Sequence, residues 1–195
     1  RRGMKTAGKP FEGKTILLGV TGSIAAYKAC ELVREWIRAG ADVHVVMTAN
    51  AAQFVTPLTF QTLSRNPVAT GLFDEVEQWQ PGHISLAERG DVLVVAPATA
   101  NVVAKLSLGL ADDALTSLAL AFTGPLVVVP AMNTAMLDHP ATQQHLATLR
   151  TRGAAIVEPE EGELACGSVG KGRFPALDSV LDAVARALRA PGRRQ

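Results

Sequence analysis

Three side chains of proton-moving or carboxylate-holding type stand in turn-like stretches of this sequence: His83 in "QPGHISLAERGD", Asn133 in "PAMNTAM" and Cys166 in "GELACGSVGKGRF". His83 follows Pro-Gly just ahead of an apolar run. From such a loop an imidazole, with a reference pKa of about 6.5, either enters a neighbouring site or stays an ordinary surface group. Asn133 follows a strand-stopping proline; its amide both donates and accepts, which suits a carboxylate or amide ligand, or a helix cap. Cys166 lies in a run holding four glycines between Gly162 and Phe174. Such a run is too flexible for core and persists where unusual backbone angles or close approach are needed. The other histidines are less suggestive: His44 falls inside a strand and reads as structural, and His139 and His145 flank a surface helix without an obvious partner.

A second kind of chemistry is written in "GVTGSIAAYK". Gly19, Gly22 and Ser23 lead directly into a helix, whose open amides and positive dipole end attract an anion; a tight turn with an N-cap reads the same way. The run is neither G-x-G-x-x-G nor a P-loop, so a mononucleotide phosphate suits it better than a dinucleotide. Thr48 and Asn50 in "MTANAAQF", and Thr99 and Asn101 in "APATAN", follow later strands, where they are ligands or caps.

Elements able to position these groups recur along the chain. "KTILLGV", "ADVHVVM", "DVLVVA" and "GPLVVV", with a weaker "AAIVEP", are β-branched runs apolar on both faces. A parallel sheet covered by helices on both sides requires such strands. Helical spacing separates them. In "SIAAYKACELVREWIRAG" Ala25, Ala29, Leu32, Val33, Trp36 and Ile37 share a face, Ser23 is placed to cap the start and Gly40 to end the helix; further helices are expected in "DDALTSLALAF", "ATQQHLATLRTRG" and "LDSVLDAVARALRA". The prediction is a single α/β domain, a Rossmann-like (flavodoxin-like) doubly wound parallel sheet. Ligands of such sheets bind at the carboxyl ends of the strands, where Gly22, Ser23, Thr48, Asn50, Thr99, Asn101 and Asn133 fall.

Composition narrows the partners. At 195 residues and 48% hydrophobic the chain suffices for one well-buried domain. Seven of its nineteen Lys and Arg lie in the two ends, which leaves twelve basic against eighteen acidic residues in the body. A nucleic-acid surface is therefore not expected. Prolines interrupt the apolar runs well short of the roughly 20 residues that span a bilayer. Cys30 and Cys166 are far apart and match no metal-ligand spacing, which favours a reducing, cytoplasmic compartment and no metal. Residues 1–13 are expected to be disordered or tag-derived, 14–189 to form the domain and 190–195 to be a tail.

Taken in order, "GSIAAYK", "HISL", "APATAN", "PAMNTAM" and "LACGSVGKGR" resemble the homo-oligomeric flavin-containing cysteine decarboxylases, from about residue 14 to about 188. The resemblance implies FMN as cofactor, with Gly22, Ser23 and Ile24 at its phosphate and Thr48, Thr99, Ala100, Asn101 and Ala131 near the rest of it. It implies His83 as the active-site base, Asn133 as ligand of the substrate carboxylate and Cys166 as the acid of the last step. Met136, Ala165, Lys171 and Arg173 are implied at the substrate, within a recognition clamp over about 159–175.

The implied activity is decarboxylation of phosphopantothenoylcysteine on the route to coenzyme A, by thiol oxidation, loss of CO2 and re-reduction, in a homotrimer or homododecamer with sites between subunits. The cysteine in L-A-C-G favours this complete reaction. Oxidative decarboxylation of a peptide ending in cysteine is the alternative, and a non-catalytic regulatory subunit or a flavin prenyltransferase fits less well. Two departures stand out: Leu137 replaces a usual aromatic residue after "PAMNTAM", and the chain ends soon after its last helix, without the synthetase domain into which many bacterial members continue.

Overall fold

In the computed structural model, residues 10–72, 82–163, 167 and 169–189 are described, and the side chain of His83 lies outside the description. Six parallel strands form the central sheet: β1 (Thr15–Val20), β2 (Asp42–Met47), β3 (Val68–Ala69), β4 (Val92–Ala98), β5 (Leu126–Pro130) and β6 (Ala155–Ile156). Their spatial order is β3-β2-β1-β4-β5-β6. The chain starts at the centre, walks to one edge, then returns past β1 to build the other half. Without the two-residue β3 the order is that of flavodoxin; with it, that of the dinucleotide-binding folds, and either way the switch point falls between β1 and β4.

Strand periodicity explains why the sheet is covered twice. Ile16, Leu18 and Val20 of β1 pack in one core with Val43, Val45, Val92, Val94, Val127 and Val129, while Leu17 joins Val46, Leu93, Val95 and Val128 in the other. Successive side chains leave opposite faces, so strands buried on both sides are apolar at every position. The first core is closed by α1 (Ala26–Arg38), α2 (Pro57–Ser64) and α8 (Leu177–Arg189), whose buried residues include Trp36, Phe60 and Val180. The second is closed by α4 (Ala100–Leu108), α5 (Ala114–Ala121) and α7 (Pro140–Thr151), through Val103, Leu115 and Leu149. Each large buried aliphatic side chain contributes about 1.5–3 kcal/mol relative to exposure.

Several expectations are corrected. Ser23 is not the N-cap of α1: that residue is Ala25, with no side-chain cap, although the Ala25 amide does donate to Ser23 Oγ. Gly40 does adopt positive φ after that helix. Gly19 belongs to β1, where a Cβ would stand 2.4 Å from Leu115 Cδ1, so it serves helix packing and not an anion. His83 is not in a loop; its backbone lies in the first turn of α3 (Gly82–Arg89). His145 does have a partner, Ser107 Oγ at 2.5 Å, and His139 caps α7 by accepting from the Ala141 amide. His44 is buried in β2 with its Nε2 3.0 Å from Asp42 Oδ2, a structural role as expected.

The largest correction concerns the glycine-rich stretch. Glu160–Glu163 (β7) pairs antiparallel with Val169–Arg173 (β8) as a second, two-stranded sheet, and the short α6 (Thr134–Asp138) lies against it. The expected clamp is thus an ordered hairpin through most of its length; Ala165 and Cys166 lie outside the described residues.

Candidate functional site

Three strand-end loops are tied together at the switch point. Thr21, fully buried after β1, donates from Oγ1 to Pro97 O at 2.7 Å and accepts from the Thr99 amide at 3.0 Å, joining the β1 loop to the end of β4. Ser23 Oγ donates to Ala131 O at 3.3 Å, joining the same loop to the end of β5. The Ala131 amide in turn donates to Ala98 O at 3.1 Å. Buried polar groups are thereby satisfied across the rim, as a stable rim demands.

A cavity of about 690 Å³ opens beside this knot, bordered by α1, the ends of β4 and β5, and the hairpin. One end is built to receive an anion. The amides of Gly22 and Ile24 find no acceptor among the described residues, and they precede the 13-residue helix α1, whose N-terminal field favours negative charge. Gly22 is required here: a Cβ would stand 2.4 Å from Asn50 Cβ, so only glycine lets the first two strand-end loops approach. Lys28, two residues into α1, lines the cavity with its Nζ 5.5 Å from the Phe174 ring centroid. That cation–ring contact holds an ammonium group at the site without neutralising it.

Asn133 lines the same cavity. Its Oδ1 accepts from the Ala135 amide at 2.8 Å, which caps α6 and fixes which side of the amide plane carries the nitrogen. The helix-cap reading of this residue therefore holds, with its amide oxygen turned toward α6. Met136, half-exposed, lines the cavity beside it, while Leu137 turns inward and is 2% exposed in the second core. The aliphatic side chain fills the space under the turn, so the departure at Leu137 leaves it fully packed.

The whole arrangement matches known proteins along most of its length. Residues 4–189 match the family model described as Flavoprotein. The chain belongs to the flavoprotein family. In sequence, this flavoprotein is 48% identical over 171 residues to the coenzyme A biosynthesis bifunctional protein CoaBC of Bacillus subtilis (strain 168), covering 88% of this chain and 42% of that one. It spans less than half the length of the curated relatives it matches. In structure it resembles the FMN-dependent cysteine decarboxylase SpaF, with TM-score 0.78, 35% identity and coverage of 90% of this chain and 95% of that one. A PPC decarboxylase mutant complexed with pantothenoylaminoethenethiol gives TM-score 0.76, 34% identity and coverage of 88% and 96%.

The residues present suit FMN on chemical grounds. A phosphate ester needs amide and hydroxyl donors, which Gly22, Ser23 and Ile24 provide, and a flat three-ring system needs apolar walls, which Ile24, Tyr27, Met132, Met136 and Phe174 provide. Of the residues singled out from sequence, Gly22, Ser23, Ile24, Thr99, Ala100, Ala131, Asn133, Met136 and Arg173 share this one cavity. Thr48, Asn101 and Lys171 do not line it. Thr48 Oγ1 accepts from the Ala51 amide, Asn101 is exposed in the first turn of α4, and Lys171 Nζ is 3.7 Å from Glu158. Thr99 combines two roles, since its Oγ1 also caps α4 by accepting from the Val102 amide.

Sequence reasoning missed Thr21, Lys28, Glu163 and Phe174. Lys28 closes the GSIAAYK motif, and Glu163 and Phe174 flank LACGSVGKGR, which is the signal that would have found them; Thr21 carries none. Among the described residues no group of three or more His, Cys, Asp or Glu could hold a metal ion, and no helix is long and apolar enough to cross a membrane.

Proposed function

We propose that this flavoprotein decarboxylates phosphopantothenoylcysteine to phosphopantetheine, the step that belongs to coenzyme A synthesis in the proteins it resembles. The observation that carries the reading is the joint presence, in one cavity, of the open Gly22 and Ile24 amides and the oriented Asn133 amide. The amides suit a cofactor phosphate and the asparagine a substrate carboxylate.

A saturated cysteine carboxylate cannot simply lose CO2, because the electron pair left behind has nowhere to go. When bound, FMN supplies the two-electron oxidation of the thiol-bearing carbon, which creates a thioaldehyde sink for that pair, and later the return of both electrons. The chain's own residues orient and manage protons. Asn133 holds the carboxylate with a neutral donor, adding no positive charge that would discourage its departure. His83 exchanges the proton of the oxidation step near neutral pH, and Cys166 protonates the enethiolate left by decarboxylation. Arg173, on β8 and lining the cavity, faces the substrate's polar arm, together with Lys171 and Ala165.

The site is further proposed to be completed by a second copy of the chain, in a homotrimer or in a homododecamer built of four trimers. Ile24 and Tyr27 line the cavity yet are 54% and 53% exposed, which supports a neighbour covering them. The half-buried free thiol of Cys30 and the other features of the chain suit a reducing, cytoplasmic setting.

The test is incubation of the FMN-loaded protein with phosphopantothenoylcysteine and, separately, with a peptide ending in cysteine, followed by mass measurement. The expected result is a saturated aminothiol from the first and no change in the second. Processing of the peptide alone would overturn the substrate assignment in favour of peptide tailoring.

A further inference from the structure

The hairpin touches the site at one point where no side chain fits. Met132 donates its amide to Gly172 O at 3.0 Å, and a Cβ placed on Gly172 would stand 2.1 Å from Met132 O, 3.3 Å from Met132 C and 3.5 Å from Asn133 C. Gly172 also has φ +138°, a backbone angle that L side chains rarely adopt. Two residues earlier on β8, a Cβ on Gly170 would stand 2.4 Å from Thr134 Oγ1. Gly172 is the extra residue where the β7–β8 register shifts, and by these distances both glycines press on the turn that carries Asn133.

We propose that Gly172 is a positioning residue for decarboxylation, setting where the Asn133 amide stands by letting β8 lie directly on the Met132–Asn133 backbone. The inference rests on the reading of Asn133 as carboxylate ligand. Ala131 is fixed from the other side, by its amide bond to Ala98 O and by the Ser23 hydroxyl. The turn is therefore gripped between the parallel sheet and the hairpin, and what enters at Gly172 must be absorbed at Met132 and Asn133. Ordinary contact begins near 3.4 Å, so the Met132 carbonyl must retreat by about 1.3 Å to accept a methyl group. A displacement of that size at a reacting group costs on the order of 100-fold in rate.

The experiment compares Gly172→Ala, Asn133→Ala and the double variant in the FMN-loaded protein. It reads kcat/KM for phosphopantothenoylcysteine beside the inhibition constant of phosphopantetheine, which lacks the carboxylate, with flavin absorbance and melting temperature confirming a folded, loaded enzyme. The expected result is an about 100-fold loss of kcat/KM in each single variant, an inhibition constant unchanged within about twofold, and a double variant little worse than either single one.

If Asn133→Ala leaves kcat/KM intact, the carboxylate reading itself fails. If Asn133→Ala is impaired but Gly172→Ala is not, or the two losses multiply, the positioning role is overturned while that reading stands. A general loss of packing would weaken product and substrate binding alike and also counts against the proposal. Should Gly172→Ala not fold, Gly170→Ala decides: its loss of kcat/KM should be restored by adding Thr134→Ala, which removes the atom in the way, and an absence of loss or of rescue overturns the proposal.

Discussion

The parallel sheet and the β7–β8 hairpin meet at the same cavity but are built on opposite terms. The sheet is apolar on both faces, and its strands end in loops knotted by Thr21 and Ser23. The hairpin reads EEGE and VGKGR, has almost no apolar content, and is seated by missing side chains at Gly170 and Gly172. One region is stable by what it buries and the other by what it leaves out. The proposed mechanism divides in the same way, with binding assigned to residues at the strand ends and the last proton transfer to Cys166, in the stretch that links β7 to β8 in sequence.

That contrast is broken most severely at the proposed base. His83→Asn should abolish turnover, a loss of about 10²–10⁴-fold, while the flavin content of the purified protein stays unchanged. Loss of flavin together with activity would show that His83 serves the structure and not proton transfer.

A substitution at the proposed acid should act differently. Cys166→Ser should still consume substrate and release CO2, but should stall at an enethiol that mass spectrometry finds two hydrogens lighter than the saturated aminothiol. If the serine variant yields the parent's product at the parent's rate, the hairpin has no chemical role and the contrast reduces to packing.

The knot at the rim offers a smaller test. Thr21→Val keeps the shape but strands the Thr99 amide without its acceptor, at a cost of about 1–3 kcal/mol. For a chain of this size that lowers the melting temperature by roughly 2–4 °C per kcal/mol, and FMN affinity measured by fluorescence titration should fall with it. An unchanged melting temperature would mean the bridge between the loops is dispensable.

The smallest effect is expected far from both regions, at Lys105. The hydrogen bond to Asp112 raises the Lys105 pKa despite burial, with the charges of Asp113 and Asp112 adding to it, and the same bond lowers the exposed Asp112 carboxyl. A raised lysine stabilises the fold below its unfolded pKa and loses that contribution as pH rises through the folded value; a lowered carboxyl stabilises above its unfolded pKa and loses it as pH falls. Asp112→Asn should therefore bring the alkaline and acid unfolding limits slightly inward, while leaving activity at neutral pH as it was. A shift at only one limit would show that the pair is not what links them.

Legibility in the sequence follows the same physical division. Burial on both faces forces uninterrupted β-branched runs, so β1, β2, β4, β5 and the weak β6 were readable, and with them the strand ends where Gly22, Ser23, Thr99 and Asn133 would gather. The hairpin was not readable as a hairpin, because EEGE and VGKGR show neither alternation nor apolar content and their pairing is set by contact with Met132 and Thr134. Thr21 was overlooked for a related reason: its bond to Pro97 crosses 76 residues, and a threonine beside Gly-Ser looks local until β4 is known to lie next to β1. His83 was read as a loop residue because Pro-Gly precedes it, yet α3 begins at that glycine.

The central claim is that one cavity at the switch point performs a complete, redox-neutral decarboxylation. It is tested most directly by mixing the FMN-loaded protein with a known amount of phosphopantothenoylcysteine under anaerobic conditions, recording CO2 release and flavin absorbance together. The account predicts one CO2 per substrate consumed and a flavin that ends fully oxidised, with phosphopantetheine as the product. Flavin left reduced in proportion to the CO2 released, or no CO2 at all, would contradict it.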